Sequence, residues 1–419
     1  MSTLTAAIQF GSSRISAVAA SIDNGEIVVH GIESVSTSGC IHHGCVVNIE
    51  ETAICVKSVM KKLSNRLVSM GHGELNAAYV GVSGISLHSM PHSSKLMISD
   101  EPTISNDLHE QLKQQALNLP IPDTDILGIE TNKEFIEGEY AIAEQQLILA
   151  DQKLLAGIRA AMERAHIRIV DIFATSLLIG DILTNDEKRE GCVLLDIGAQ
   201  LSTISIYKDN ELKKLCTLPL GGDCVTMDIA TKGMRMEEAE KAKVNWSCAS
   251  PQYSEEKNNR VTQNLQIPIE ELNLIVVSRY DEIISNIARI IERAGYKGQL
   301  NGGCIVTGGS SIQDGLTSLL HKRLDISKIN TKACAVPRFS NSERKPHLTS
   351  LMVMLNHCSE SCEVVKIAEP VKPAAAQPAT EKVAVATDSS NTSKGNTGKS
   401  TRSGIKGFFG DLFSGLDDE

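Results

Sequence analysis

The chain has 419 residues, which is enough for more than one domain with its own core. Its net charge of −10, with acidic and basic residues interspersed, argues against a body that binds nucleic acid. No apolar run reaches the ~18–20 residues of a transmembrane helix, and the first residues lack the pattern of a signal peptide. We therefore expect a chain that stays in the cytoplasm.

The eleven cysteines are scattered, and no Cys-x-x-Cys pair occurs. We expect reduced thiols, most of them buried. His42 and His43 beside Cys45 resemble part of a metal site, but no second pair of ligands has suitable spacing. A surface turn is the favoured interpretation.

The first predicted elements form a strand–turn–strand pattern. Residues 6–10, apolar except for Gln9, lead through Gly11, Ser12 and Ser13 to a second apolar stretch at 15–20, and a turn at 23–25 precedes a third strand at 27–29. Glycine lets a backbone approach closely, so such a turn exposes N–H groups that can cradle a phosphate. Taken alone, this pattern favours a plain β-hairpin.

Two helices are clear from their apolar spacing, and together with the strands they predict an α/β fold up to about residue 365. The first covers 51–67 and precedes Gly71, and the second covers 269–294 and stops at Gly295. Between them, the strand–turn–strand pattern recurs. Residues 193–197 lead through Gly198 to a returning strand at 204–207 and a turn at 208–210. Two copies in the two halves favour a duplicated fold with a cleft between the halves.

A third glycine turn follows the second helix. Residues 304–307 form a strand that leads into Gly308 and Gly309, and a helix is predicted to begin near Gly315. A strand, a Gly-Gly turn and a helix in this order let the backbone approach a flat ligand. The combination with the two earlier turns makes the signal specific.

The end of the chain has a different composition. Residues 367–402 contain no aromatic side chain and are rich in Pro, Ala, Ser, Thr and Gly, which predicts a disordered linker. Residues 403–419 are predicted to form an amphipathic, membrane-binding helix. Its apolar residues are spaced 3, 1, 3, 1, 3 with Lys406 on the other side, and they are Ile405, Phe408, Phe409, Leu412, Phe413 and Leu416. The same spacing also suits a helix that docks in a partner's groove.

Several stretches carry a resemblance to a known family. Residues 39–52 are similar to a "G-x-I-x-x-G-x-I-x-N-I-E-E-T" stretch, residues 217–223 match a second-half signature, and residues 238–244 match a helix that touches the nucleoside. The chain resembles the FtsA family, bacterial division proteins of the actin/Hsp70/sugar-kinase superfamily, and most closely its Bacteroidota-type members. The resemblance covers nearly the whole chain.

The resemblance implies an actin-like, duplicated two-domain α/β fold with a cleft. It places a first-half core at 1–84, the inserted subdomain at 85–167 and a second-half core at 168–366, with an outer lobe at about 234–300. It also implies binding to FtsZ and membrane lipid, self-association into filaments, and recruitment of later division proteins through the inserted subdomain. The expected location is the cytoplasmic face of the inner membrane at the division septum, as a peripheral protein. The chain's composition alone predicts only a small α/β lobe for the insertion.

The resemblance also implies a site for ATP with Mg²⁺. The implied nucleotide-binding residues are Gly11, Ser12, Ser13, Arg14, Gly198, Ala199, Gln200, Gly221, Gly222, Glu240, Lys243, Gly308, Gly309 and Ser310. Asp196 is implied as a magnesium contact through water. No residue is assigned a catalytic role.

Departures from the family pattern bear on hydrolysis. Gln9 stands where the family has Asp, Ala199 and Gln200 stand where many relatives have glycines, and Ala174 aligns with a usually polar position between the halves. Gln carries no charge beside a metal, whereas Arg14 retains a cation for phosphate. The hypothesis is weak or conditional ATP binding with poor hydrolysis, at most a weak ATPase. The alternatives are a cleft without nucleotide and an active ATPase or kinase of the superfamily. An Hsp70-type chaperone would need a substrate-binding β-domain.

Overall fold

Two large β-sheets organise the residues that the computed structural model describes. These residues are 3–23, 26–37, 39–98, 103–250, 267–334 and 345–364. All of them belong to a unit that ends at Val365. The predicted linker 367–402 and the predicted membrane helix 403–419, with Ile405, Lys406, Phe408, Phe409, Leu412, Phe413 and Leu416, lie outside the described residues and stay predictions.

The strands are numbered along the chain. They are β1 (Thr3–Phe10), β2 (Arg14–Asp23), β3 (Glu26–Ser36), β4 (Ile41–His42), β5 (Cys45–Val46), β6 (Ala77–Val82), β7 (His88–Met97), β8 (Thr124–Glu137), β9 (Tyr140–Asp151), β10 (Arg168–Ala174), β11 (Cys192–Ile197), β12 (Ser202–Lys208), β13 (Glu211–Leu218), β14 (Gly303–Thr307) and β15 (Ile329–Thr331).

The α-helices of the described residues are numbered in the same way. They are α1 (Ile49–Ser69), α2 (Asn106–Leu117), α3 (Gln152–Ala165), α4 (Thr175–Leu178), α5 (Asn185–Glu190), α6 (Gly222–Ala230), α7 (Met236–Trp246), α8 (Ile269–Arg293), α9 (Leu316–Leu324) and α10 (Thr349–Met354). The predicted helices over 51–67 and 269–294 correspond to α1 and α8. Among the described helices, none is both long and apolar enough to cross a membrane.

The two sheets repeat one topology. The first has the order β10-β6-β1-β2-β3, and the larger one contains β15-β14-β11-β12-β13. In each set, three consecutive strands pair antiparallel, β1-β2-β3 in the first and β11-β12-β13 in the second. Two further strands continue each sheet in parallel beside the first of these three, β6 and β10 beside β1, and β14 and β15 beside β11. The predicted duplication is therefore confirmed for the sheets as a whole, beyond the two strand–turn–strand segments that suggested it.

Each sheet has a core of its own. In the first, Ile8 and Phe10 pack with Val56 and Leu63 of α1. In the second, Leu195 and Ile204 belong to the cluster that α8 covers. The central strands are buried on both faces, which explains why they consist of nearly continuous apolar residues instead of alternating ones. The first turns of both repeats lie at the ends of these buried strands.

The inserted segment extends the larger sheet. Strand β7 pairs with β13 at Cys216 and His88, and β9 and β8 continue the sheet outward. Ser89 Oγ accepts a 2.8 Å hydrogen bond from the backbone of Leu215, which adds a side-chain contact to this junction. Helix α3 packs on α1, and β10 pairs with β6, so both complete the first half of the fold. The predicted domain boundaries stay predictions, and the one at 167/168 separates these two elements.

Candidate functional site

The first predicted phosphate loop, residues 11–14, connects β1 to β2. The N–H of Gly11 donates to the carbonyl of Arg14 at 3.1 Å, and a Cβ on Gly11 would lie 2.8 Å from that oxygen. Glycine is therefore needed for this turn. Ser12 Oγ accepts a 3.2 Å hydrogen bond from the N–H of Gly44, while Ser13 and Arg14 are exposed. The loop is thus tied to the turn between β4 and β5.

The second predicted loop, residues 198–201, meets two other predicted segments at one carbonyl. The carbonyl of Gly198 accepts from the N–H of Gly222 at 3.0 Å and from Ser310 Oγ at 3.2 Å. The carbonyl of Ala199 accepts from the N–H of Asp223 at 2.7 Å. The structure therefore brings together the second loop, the signature segment and the third glycine turn.

Close packing at this junction requires glycine. A Cβ on Gly222 would lie 2.6 Å from Ser310 Oγ, and a Cβ on Gly221 would lie 2.5 Å from the carbonyl oxygen of Ala199. Gly308 has a φ of +87°, a conformation that favours glycine. These three positions explain why the glycines recur in the sequence at the ends of buried strands.

Asp196 occupies the end of β11 beneath the second loop. Ser350 Oγ donates to Asp196 Oδ2 at 3.4 Å. Burial raises the pKa of the Asp196 carboxyl to about 6, and the hydrogen bond from Ser350 opposes this rise. The carboxylate is thus held in a site that disfavours its charge, with a hydroxyl donor as its polar partner.

Helix α10 contributes groups that sequence reasoning missed. Besides Ser350, it supplies Thr349, whose Oγ1 accepts a 3.0 Å hydrogen bond from Thr307 Oγ1. The helix has only six residues, and all of them are buried. Such a short, uniformly buried segment carries no periodic signal and no glycine motif, so nothing in the sequence marked it.

A cationic cluster lies between the first loop and the third turn. Burial lowers the pKa of His347, and the nearby positive charges of Arg14 and Lys345 lower it further. A Cβ on Gly309 would lie 3.9 Å from His347 Cβ, which places this cluster beside the third turn. The structure therefore adds His347 and Lys345 to the predicted cation Arg14 as candidates for contacting an anion.

Lys243 is engaged within the fold. Its Nζ donates to the carbonyl of Gly222 at 3.0 Å and to Thr226 Oγ1 at 2.8 Å, and it forms a 2.6 Å ion pair with Glu240. An ammonium group has three donors, and these partners use all of them. Glu240 also accepts from Thr226 Oγ1. In this structure the pair positions the start of α6.

Gln200 reaches across the cleft. Its Oε1 accepts a 2.8 Å hydrogen bond from the N–H of His43, which belongs to the first half. Its amide also lies close to the carboxyl of Asp223 in the second half, where it opposes the rise that burial causes in the pKa of that carboxyl. Gln200 of the second half is therefore connected to the first half at His43, whose neighbour Gly44 bonds Ser12 within the first half.

The chemistry of these groups fits a phosphate better than a magnesium ion. Backbone N–H groups, hydroxyls and a cationic cluster surround the loops. Asp196 is the acidic residue that the prediction assigned to the metal, and Gln9 supplies no charge on β1. Among the described residues, no group of three or more His, Cys, Asp and Glu side chains could hold a metal ion. Magnesium prefers carboxylate oxygens, and this donor set offers few of them.

Comparison with known proteins identifies the relatives of this chain. The family model for cell division protein FtsA matches residues 193–387. Cell division protein FtsA of Porphyromonas gingivalis is 29% identical over 331 residues, which are 74% of this chain and 69% of the relative. FtsA of Bacillus subtilis is 23% identical over 378 residues, with 85% and 83% coverage. The chain is therefore similar to FtsA cell division proteins along most of its length. The predicted resemblance is thereby confirmed.

A solved structure confirms the predicted actin-like fold. A chain of the PilM-PilN type IV pilus biogenesis complex superposes with a TM-score of 0.61 at 16% identity, covering 84% of this chain and 98% of that one. The likeness is one of fold. Together with the family match, it makes this chain a division-related, actin-like protein.

Proposed function

We propose that this FtsA-like protein tethers the division ring to the inner membrane. It binds FtsZ, assembles into filaments through its actin-like body, and attaches to lipid through residues 403–419. The observation that carries the tether is the 3, 1, 3, 1, 3 spacing of six large apolar residues that begins at Ile405 and ends at Leu416. This spacing places them on one face of a helix.

Energetic considerations support many weak anchors. Each large apolar side chain contributes roughly 1.5–3 kcal/mol if it is fully buried, but burial at a membrane surface is partial. Gly407, Gly410 and Gly415 each cost the helix about 1 kcal/mol relative to alanine. The acidic end of the chain, residues 417–419, reduces attraction to anionic lipid. Attachment therefore depends on the phenylalanines and on several anchors that act together in one filament.

Liposome co-sedimentation tests the tether. Full-length protein is compared with a chain that ends at Lys399, with Phe409→Glu, and with Ser414→Glu on the polar face as the matched control. We expect the full chain and Ser414→Glu to pellet with vesicles, while the other two stay in the supernatant. A tube without vesicles corrects for self-assembly. Equal pelleting of the full and the shortened chain would contradict the membrane role and favour a helix that docks on a partner.

We also propose that the cleft binds ATP weakly and hydrolyses it poorly. The glycine turns that the structure brings together and the cations Arg14 and Lys345 beside them support contact with phosphate. Bound ATP with Mg²⁺ would supply a triphosphate whose oxygens these groups could contact. The uncharged Gln9, the raised pKa of Asp196 and the fully engaged Lys243 all argue against efficient hydrolysis.

ATP titration and turnover measurements test this second proposal. Binding is followed by equilibrium dialysis with and without Mg²⁺, and phosphate release is measured on the same protein and on Asp196→Ala. We expect measurable binding and little phosphate release in either protein. A clear Mg²⁺-dependent turnover that Asp196→Ala abolishes would contradict poor hydrolysis and would favour an active ATPase.

The proposed FtsZ contact lies in the outer lobe. Four apolar side chains on α6, α7 and α8 are about half exposed or more, and they are Met227, Met236, Val244 and Leu274. Exposed apolar side chains of this size on neighbouring helices are typical of a surface that a partner covers. This supports the family-based expectation that the lobe at 234–300 contacts FtsZ, and it extends the candidate surface to α6.

A further inference from the structure

We propose that Gln200 bridges the two halves of the fold, and that phosphate bound between the loops has to displace this bridge. The Gln200 bridge is defined as the 2.8 Å hydrogen bond from the N–H of His43 to Gln200 Oε1, together with the contact of the Gln200 amide with the Asp223 carboxyl. The first part concerns the free protein alone. The second part rests on the proposed ATP binding.

The geometry fixes the orientation of the amide. The N–H of His43 can only donate, and it lies 2.8 Å from Gln200 Oε1. The amide nitrogen of Gln200 therefore faces the carboxyl of Asp223, which accepts when ionised. A reversed amide would place donor against donor at His43. One side chain thus links the turn after β4 to the start of α6.

Both ends of the bridge are anchored. Asp223 is held at the second loop because its N–H donates to the carbonyl of Ala199 at 2.7 Å. The turn that carries His43 is fixed by Gly44, where a Cβ would overlap the backbone of Ser83. The carbonyl of His43 also accepts a 3.2 Å hydrogen bond from the N–H of Ile85. Rigid supports on both sides make the bridge a specific contact.

The turn at residues 43–44 forms hydrogen bonds with both predicted phosphate loops. The N–H of His43 binds Gln200 of the second loop, and the adjacent N–H of Gly44 binds Ser12 Oγ of the first loop at 3.2 Å. Two successive N–H groups are the kind of donors that hold anions. Here neutral oxygens of the same chain occupy them. A phosphate that approaches either loop has to compete with these contacts.

The Gln200 bridge also gives the glutamine at position 200 a role that glycine could not fill. A glycine at position 200 could not reach His43, whereas the glutamine amide offers one acceptor and two donors. The departure from the glycines of many relatives therefore has a consequence beyond weaker phosphate binding. It gives the free protein a closing contact of its own.

Hydrogen exchange on the nucleotide-free, full-length protein tests the bridge. Exchange of the His43 amide is measured in wild type, in Gln200→Ala, and in Gln152→Ala, an exposed glutamine on α3, as control. Loss of one well-formed hydrogen bond corresponds to roughly tenfold in an opening equilibrium. We expect about tenfold faster exchange in Gln200→Ala and no change in the control. Equal exchange in all three proteins would overturn the bridge.

An exchange of the amide and the carboxylate between positions 200 and 223 keeps the test independent of folding. Gln200→Glu retains an acceptor for His43 but places a second carboxylate against Asp223, so we expect faster exchange. The double variant Gln200→Glu/Asp223→Asn exchanges the amide and the carboxylate of the second contact, so that the amide is now on residue 223. We expect it to restore exchange to within about threefold of wild type. A double variant that exchanges as fast as Gln200→Glu would overturn the proposal.

ATP affinity tests the displacement. We expect Gln200→Ala to bind ATP several-fold more tightly than wild type, because no bridge has to be broken. Equal or weaker binding by Gln200→Ala would overturn this part. If neither protein binds ATP, the proposed ATP binding fails, while the exchange experiment still decides whether the bridge exists in the free protein.

Discussion

Gly308 lies directly against Asp196, so that a methyl group at position 308 would overlap the Oδ1 atom of that carboxyl. The neighbouring glycine behaves differently, since a Cβ on Gly309 would meet only His347 Cβ, at 3.9 Å. Two adjacent glycines of one motif therefore have separate physical roles. Gly308 is required because it packs against Asp196, whereas Gly309 leaves room for a ligand.

We predict that Gly308→Ala destabilises the protein by about 2–4 kcal/mol, from backbone strain at positive φ together with overpacking. Gly309→Ala is the matched control and should change the free energy of unfolding by less than about 0.5 kcal/mol. Urea denaturation followed by circular dichroism measures both. Similar stabilities for the two variants would show that the approach of Gly308 to Asp196 is not a tight contact.

Glu187 and Lys332 provide a pH-dependent contribution to stability. Lys332 Nζ lies 2.7 and 2.6 Å from the two carboxylate oxygens of Glu187. Burial raises the pKa of Glu187, but the hydrogen bonds from Lys332 and Thr184 outweigh it, and the net pKa is lowered. A lowered folded-state pKa means that the contribution is complete above the ordinary value of 4.5 and is lost as the pH falls through the folded-state pKa.

We therefore predict that Glu187→Gln lowers the free energy of unfolding by about 1–3 kcal/mol at pH 7. The difference from wild type should shrink as the pH falls below 4.5, because the wild-type carboxyl then becomes neutral. Glu190→Gln, an exposed neighbour on α5, serves as control and should have little effect at either pH. Urea denaturation at several pH values measures this, and a pH-independent difference would contradict the ionic origin.

Replacing Lys243 tests how much its buried ammonium group contributes to the free energy of unfolding. Lys243→Met removes three polar contacts and leaves Glu240 without its cationic partner, which should cost about 1–3 kcal/mol of unfolding free energy. Lys241→Met, an exposed lysine on the same helix, should stay within about 0.5 kcal/mol of wild type. Thermal and urea unfolding measure both variants. An unchanged stability of Lys243→Met would indicate that the lysine is free to contact a ligand.

The strand and helix pattern could be read from the sequence because it depends on local periodicity and on glycine. The buried strand 193–197 and the turn at Gly198 are recognisable without any partner. The same holds for α8, whose apolar residues recur at helical spacing over 25 residues. The relation between the two sheets followed from finding the same local pattern twice.

The remaining features depend on contacts between distant residues. The junction of β7 with β13 rests on the pairing of His88 with Cys216, which no local pattern encodes. Ser350 reaches Asp196 from 154 residues away along the chain. Gln200 was expected to contact nucleotide and to depart from a family pattern, but its contact with His43 could not be predicted, because it depends on how the two halves come together.

The outer lobe offers a direct test of the proposed FtsZ contact. Leu274 on α8 is 67% exposed and Met227 on α6 is 50% exposed. Asp228 and Arg279 hold these two helices together through hydrogen bonds of 2.6 and 3.0 Å. The exposed apolar side chains are therefore presented by a rigid pair of helices, and replacing one of them should not disturb the fold.

We predict that Leu274→Asp reduces co-sedimentation with FtsZ polymers by about tenfold, which corresponds to about 1.4 kcal/mol and is within the contribution of one buried leucine. Val68→Asp, at a 50% exposed apolar position on α1, is the control and should bind as wild type does. Thermal unfolding should be unchanged in both, because neither side chain lies in a core. If Leu274→Asp binds FtsZ as wild type does, the FtsZ contact does not lie on this face of the lobe. Equal loss in both variants would mean that binding responds to added negative charge and not to the leucine.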